Sequence, residues 1–457
     1  FGPVCTTLGV SQSMPRLNRQ VLPEIVFQNG VLAKLLRSSD VPESPTKEQF
    51  VAVQDLLVKH GVTDVFPGLI PTSGLFSAAV VRANVAEANT AGYTSAWTRD
   101  NALVAHSLLM CGHTEAAART ARALASFYLR YEHRLDACIA GRANVDDENQ
   151  RPHIRFNGTL VQENETGWPH KQNDACGYFM WVFAKLARAR HLTPTDDELR
   201  VLGKFVRFLH KIQYWEDEDN GHWEERPKVQ ASSIGAALAG IRQVKVLFQD
   251  ADAAQEIPNQ PPIKEVFKQA EEQGEAALGR ILPNECITPG REMASNGALL
   301  FLIHPLEVVD EAIADAIIAR VAEQLMGNFG IRRYTGDSYW HQDWLEIPTQ
   351  VRSRPQTIRD RALKDGCEAQ WCIFDPVLSI IFGKAYQKHS RSEDLELQRY
   401  FLKRSLAQVT GSDCRLGAWK LPESYHCWRG EWVPNDVCPL LWTQANVAEA
   451  LARMQAS

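Results

Sequence analysis

Apolar positions recur along this chain at three- and four-residue intervals, and two stretches show the pattern most clearly. Phe50, Val53 and Leu57 fall on one face of a segment that opens at Thr46-x-x-Gln49, the form of a capping box, and closes at Gly61. Leu199, Leu202, Phe205, Val206, Leu209 and Ile212 do the same after Thr195-x-x-Glu198. The spacing predicts further helices over about 97–111, 113–131, 174–190, 231–248, 261–279, 293–303, 308–326, 368–388, 392–408 and 439–454. Alternation of the kind that marks a strand is almost absent, so the chain reads as all-α with about twelve helices. Short turns between these helices alternate with long loops rich in Trp, Gly, Pro and charge, and no low-complexity linker divides the chain.

Composition changes this picture little. A length of 457 residues suggests two or three domains on length alone, while 45% hydrophobic and 23% charged residues are ordinary for a globular chain. A net charge of -6 without any basic block argues against nucleic acid as a partner. No run of 18 apolar residues predicts a membrane span. The first residues lack the charged start and apolar centre of a signal peptide, and Met14 is placed where a natural start could lie. The ten cysteines are scattered, with no CxxC and no Cys/His spacing suited to zinc. They read as free thiols in a reducing compartment, which points to the cytoplasm, and neither a metal nor a cofactor is expected. Asn157 and Asn164 open N-x-T sequons, which would matter only in a secreted eukaryotic protein.

Candidate chemistry lies in the loops. In the stretch from Trp215 to Gly235, Glu224 and Glu225 follow Trp223 directly, just before a predicted helix. A carboxyl against an indole has its charged form disfavoured by desolvation, so its pKa rises toward the range of a proton donor, while its neighbour can point elsewhere and bind a hydroxyl. An acidic run near a turn is more often a solvated loop, but four other loops share its character. Residues 97–101 read WTRDN, with Asp100 near a helix N-terminus where the dipole favours it. Residues 167–178 read GWPHKQNDACGY and reach Asp174 as a helix begins; residues 332–344 read RRYTGDSYWHQDW; residues 421–428 read LPESYHCW, with Glu423 isolated after Pro422. Twelve Trp in the chain, several beside Asp, Glu and Arg, suit a carbohydrate site where indole faces stack on sugar C–H surfaces.

Taken in order, Trp97-Thr98-Arg99-Asp100-Asn101, the segment Trp168 to Asp174, Trp223-Glu224-Glu225, Arg333 to Tyr339, Leu421-Pro422-Glu423 and Pro439 to Ala445 resemble the glucoamylase-type inverting glycoside hydrolases of family 15. They are equally similar to the barrel domain of the alpha and beta subunits of phosphorylase kinase. The resemblance spans roughly residues 45–457, leaves 1–44 as an N-terminal extension, and implies an (α/α)6 barrel of six inner and six outer helices. It implies Glu224 as general acid and Glu423 as general base. It also implies Arg99 and Asp100 as a clamp on the terminal glucose, Arg333 and Asp337 beside the first two sugars, Glu225 near the leaving sugar, and Trp168 as a stacking platform. Trp97, Asp174 and Trp223 complete the implied binding site. The implied substrate is an α-glucan or oligosaccharide, cleaved from its non-reducing end. The stretch RPKVQASSIGAA behind Glu225 is closer to the kinase subunits. Two alternatives therefore stand: a glucan-binding regulatory module, or the same barrel acting on trehalose or an α-1,6-glucan.

Overall fold

A computed structural model describes residues 17, 22–37, 46–80, 92–165, 167–250, 257–258, 260–289, 295–347, 360–361 and 366–456. Met14, Cys5, most of the segment 1–44 and the start of the helix expected over 293–303 lie outside these residues. Fourteen α-helices occur among the described residues. They are α1 (Gly30–Leu36), α2 (Lys47–Lys59), α3 (Thr98–Met110), α4 (Thr114–Arg130), α5 (Glu132–Ile139), α6 (Asn173–Arg188), α7 (Asp196–Lys211), α8 (Ala231–Asp250), α9 (Ile263–Ile281), α10 (Leu300–Ile303), α11 (Glu311–Gln324), α12 (Phe374–His389), α13 (Ser392–Ala407) and α14 (Leu441–Ala456). Removing the short α1 and α5 leaves the dozen that the spacing predicts.

Both capping boxes form: Thr46 and Gln49 bond each other's backbone N–H groups, as do Thr195 and Glu198. The twelve helices divide by burial. In α6 every position from Asn173 to Ala184 is buried, whereas α7 buries Leu199, Leu202, Phe205, Val206 and Leu209 on one face and leaves Asp196, Asp197 and Lys211 exposed. The more buried set closes a ring: α3 contacts α6, α6 contacts α8, then α10, α12 and α14 follow, and α14 returns to α3. Around it α2, α4, α7, α9, α11 and α13 each pack on inner helices. This is an (α/α)6 barrel, as expected. Helix α1 buries Leu32 and Leu36 in a cluster with Phe50, Val53 and Leu57 of α2 and Leu402 and Leu406 of α13.

The closest approach in the ring is between α6 and α8. A Cβ on Gly177 would overlap the backbone of Ala236 and Ala237, and one on Gly240 would lie 2.5 Å from the Gly177 carbonyl oxygen. Only glycine lets the two backbones meet this closely.

Three small sheets depart from the all-helical expectation. The strands are β1 (Leu69–Ile70), β2 (Leu75–Phe76), β3 (Ala96–Trp97), β4 (Arg155–Asn157), β5 (Gln162–Glu163), β6 (Gln370–Trp371), β7 (Ser424–Trp428) and β8 (Glu431–Pro434). They pair β1–β2, β3–β4–β5 and β6–β7–β8, all antiparallel. The helix expected from 368 starts only at Phe374, because Gln370 and Trp371 pair with Tyr425 and Ser424. Arg429 and Gly430 join β7 to β8 with φ of 51° and 85°, the positive pair that a two-residue hairpin turn requires. The nine described cysteines are free thiols. Among the described residues no helix is long and apolar enough to cross a membrane.

Replacing Gly177 by Ala should force α6 and α8 apart and cost at least about 1–3 kcal/mol, as overpacking does. Urea unfolding of the variant checks this, and wild-type stability would contradict the packing described.

Candidate active site

The site-bearing loops all lead into inner helices, and the first turn of α3 sets the frame. Asn101 accepts from the Phe76 N–H at 2.7 Å and donates to the Phe76 and Trp97 carbonyls at 2.9 Å each, fixing where the helix starts. Arg99, 4% exposed, then reaches across the end of the barrel. Its Nη1 donates to Asp174 at 2.7 Å and Gln172 at 3.0 Å, and its Nη2 to Glu224 at 2.6 Å. Asp174 stands in the first turn of α6, where the helix dipole also favours its negative charge.

Glu224 and Glu225 are held by a tight loop between α7 and α8. Asp219 and Lys228 pair backbone to backbone, Glu224 N–H donates to Gly221 O, and Asn220 Nδ2 donates to Glu225 O at 2.6 Å. Glu224 has φ of 57°, a left-handed conformation that a non-glycine residue adopts only when its surroundings impose it. That twist sends the two adjacent carboxylates apart, as the sequence suggests. Glu224 meets Arg99, whereas Glu225 accepts from Arg333 Nη2 at 3.1 Å and from Tyr334 OH at 2.5 Å. The Trp223 indole binds Asn296 at 2.9 Å through its N–H, and the Arg333 guanidinium lies 5.2 Å from the Trp223 ring.

Arg333 is the second buried cation. Its Nε and Nη2 donate to the two oxygens of Asp337 at 2.6 Å each, a bidentate pair in a fully buried setting. Trp223, Tyr339 and Trp371 surround the guanidinium at 4.8–5.2 Å from their ring centres. Tyr339 leads on to the remaining carboxylate: its hydroxyl lies 3.0 Å from that of Tyr93, and Tyr93 donates to Glu423 Oε1 at 2.6 Å. Glu423 stands immediately before β7, with its backbone bonded to Cys372 and Val437, and its Oε2 accepts from Asn435 Nδ2 at 2.6 Å.

Electrostatics separate these acids. Burial pushes Glu224 up to about 7; Arg99 opposes that rise and Asp100 adds to it. Burial likewise pushes Glu423 up to about 7, against the hydrogen bonds from Tyr93 and Asn435 and the charge of Arg333. Asp100, half-buried at the mouth, is raised to about 6 by desolvation despite Arg99. Asp174 goes the other way: burial would raise it, but the Arg99 guanidinium and His222 hold it below the usual carboxylate range.

The structure brings Arg99, Asp100, Asp174, Trp223, Glu224, Glu225, Arg333, Asp337 and Glu423 into one linked set. Trp97 and Trp168 form its flank, edge to face at 5.3 Å, with the Arg155 guanidinium 4.0 Å from the Trp168 ring centre. Sequence reasoning misses Gln172, Tyr93, Arg155, Trp371 and Asn435. Only the last had a readable signal: the Arg429-Gly430 turn between alternating residues marks a hairpin that folds Asn435 back beside Glu423.

A family model described as Glycosyl hydrolases family 15 matches residues 63–372. No curated protein matches the chain. Solved structures with the same fold include a wild-type glycosidase, 17% identical, covering 90% of this chain and 99% of its own, with a TM-score of 0.63. The glucoamylase of Saccharomycopsis fibuligera is 12% identical over 92% of this chain and 98% of its own, at 0.57. A bacterial glucoamylase complexed with acarbose is 13% identical over 84% of this chain and 53% of its own, at 0.54.

A carboxyl raised from 4.5 to about 7 binds more protons in the folded than in the unfolded chain between those values. Glu224 and Glu423 therefore make stability fall as pH rises through that window. The double variant E224Q/E423Q should lose less stability than wild type between pH 5 and pH 7.5 in urea unfolding. Equal slopes would contradict the raised values.

Proposed function

The chain belongs to glycosyl hydrolase family 15, and from that premise we propose that it is an inverting, exo-acting hydrolase releasing glucose from the non-reducing end of an α-glucan or oligosaccharide. Glu224 is the general acid and Glu423 the general base. The observation that carries this reading is the pair of carboxyls on separate loops, Glu423 buried and Glu224 with 19% of its side chain exposed, each raised to about 7 by desolvation and each within the field of Asp100. Inversion needs one carboxyl to protonate the leaving oxygen and another to activate water on the opposite face of the sugar.

In the reaction Glu224 gives its proton to the glycosidic oxygen as the C1–O bond breaks. A water attacks C1, and its proton passes to Glu423. Afterwards Glu224 is ionised and Glu423 protonated, and exchange with solvent resets both. Arg99 stabilises the carboxylate that Glu224 becomes, while Asp174 takes up part of the Arg99 charge, so burial still keeps the proton on Glu224 beforehand. Tyr93 and Asn435 donate to Glu423 and favour the ionised form a base needs.

Arg99 and Asp100 grip the hydroxyls of the terminal glucose, where a sugar lacking the matched hydroxyl leaves a buried charge unpaired. Arg333 and Asp337 stand beside the next contact, and Glu225 keeps Arg333 in place as well as facing the leaving sugar. Trp97, Trp168 and Trp223 supply the apolar walls. Residues 45–457 act as the barrel unit and 1–44 as an extension that packs on it through α1. The buried free thiols support a reducing, cytoplasmic setting.

Incubation with maltose, isomaltose, trehalose and soluble starch, following released glucose, tests the reading. Hydrolysis of at least one is expected, with E224Q and E423Q each slower by about 10²–10⁴-fold, the usual worth of a general acid or base. Turnover that survives both substitutions would mean other carboxyls do the chemistry. Glucan binding without turnover by the wild type would favour a regulatory module of the phosphorylase-kinase kind.

A further inference from the structure

Asp219 opens the loop that carries Glu224, and it is buried, at 1% exposure. Its backbone bonds Lys228 in both directions, at 3.1 and 3.0 Å, which closes the base of the loop. Its carboxylate reaches further. Oδ2 accepts the backbone N–H of Asn173, the first residue of α6, at 2.8 Å. The same oxygen accepts the hydroxyl of Ser233, in the first turn of α8, at 2.5 Å. Gln230, just before α8, donates through Nε2 to Oδ1 at 3.2 Å and to the Asp219 carbonyl at 2.8 Å. One side chain therefore ties the starts of two inner helices to the base of the loop.

The acid's placing depends on how these parts stand to one another. Asp174 follows Asn173 directly, and Glu224 lies five positions after Asp219. Arg99 bonds both carboxylates, Asp174 through Nη1 and Glu224 through Nη2. A guanidinium is a rigid planar fork, so the two acids must keep a set separation for both bonds to form. Asp219 sets it from behind, bonded to the helix of one acid and part of the loop of the other. Without its carboxylate the Asn173 N–H and the Ser233 hydroxyl lose a buried acceptor, and the loop loses its tie to α6.

We propose that Asp219 is a positioning residue for proton donation: its carboxylate fixes the Glu224 loop against the start of α6, so that Arg99 holds Glu224 where it can protonate the leaving oxygen. This inference rests on Glu224 being the acid.

The test measures kcat and KM for wild type, D219A, S233A and E224Q on two substrates. One is whichever of maltose, isomaltose and trehalose is turned over fastest; the other is α-glucosyl fluoride. Fluoride leaves with little help from an acid, whereas a sugar oxygen must take a proton. D219A should lower kcat about 10²-fold on the disaccharide, the scale of a 1 Å misplacement, and less than about fivefold on the fluoride. KM for the disaccharide should move less than about threefold, because the loss falls on the chemical step. If D219A fails to fold, S233A removes one tie alone and decides by the same comparison, with a loss of about fivefold expected on the disaccharide only. E224Q should show the strongest contrast between the two substrates. Equal losses on both, or none on either, for D219A or its substitute beside a selective E224Q overturn this inference and leave the acid assignment standing. An E224Q that slows both substrates alike overturns the acid assignment, and this inference with it.

Discussion

Everything in this site follows from too few cations among too many buried acids. Three guanidinium groups, Arg99, Arg333 and Arg155 at the flank, face six carboxyls: Asp100, Asp174, Glu224, Glu225, Asp337 and Glu423. Asp174 pairs with Arg99, Asp337 pairs with Arg333 through both oxygens, and Glu225 accepts from both Arg333 and Tyr334. The remaining three lack full compensation from these cations, although Asp100 and Glu224 keep some exposure. Desolvation then wins, and Asp100, Glu224 and Glu423 are the ones raised. A site built this way holds protons near neutral pH at a cost in stability, a common trade where chemistry needs a displaced pKa.

The barrel supplies the enclosure. Inner helices buried on nearly every side leave their N-terminal ends to the loops, and the loops bring acids and indoles inward together. The close passage of α6 against α8 carries Asp174 and the Glu224 loop on neighbouring elements, so Arg99 can reach both. On the far side, pairing of β6 with β7 ties the strand before α12 to the segment that carries Glu423. The sheets are small, but each one anchors a loop of the site.

How much was legible follows from what is local. Capping boxes, amphipathic outer helices and buried inner ones declare themselves within about twenty residues, and the helix pattern was read nearly to the residue at α3, α4 and α13. The acids could be picked out because they recur beside Trp at predicted helix starts. Gln370–Trp371 carries no legible strand signal, because a two-residue strand leaves no periodicity in the sequence. Tyr93 could not be linked to Glu423, since the bond spans 330 positions and rests on tertiary packing alone. The left-handed Glu224 is likewise a product of its loop and of Arg99, not of any propensity of its own.

The proposed division of roles, Glu224 protonating the leaving oxygen and Glu423 activating water, leads to a single stereochemical result. Proton NMR of the first minutes of hydrolysis, before mutarotation mixes the anomers, reads that result at C1 of the released glucose. β-Glucose as the first-formed product is expected from an α-linked substrate. α-Glucose appearing first would contradict the division of roles between Glu224 and Glu423.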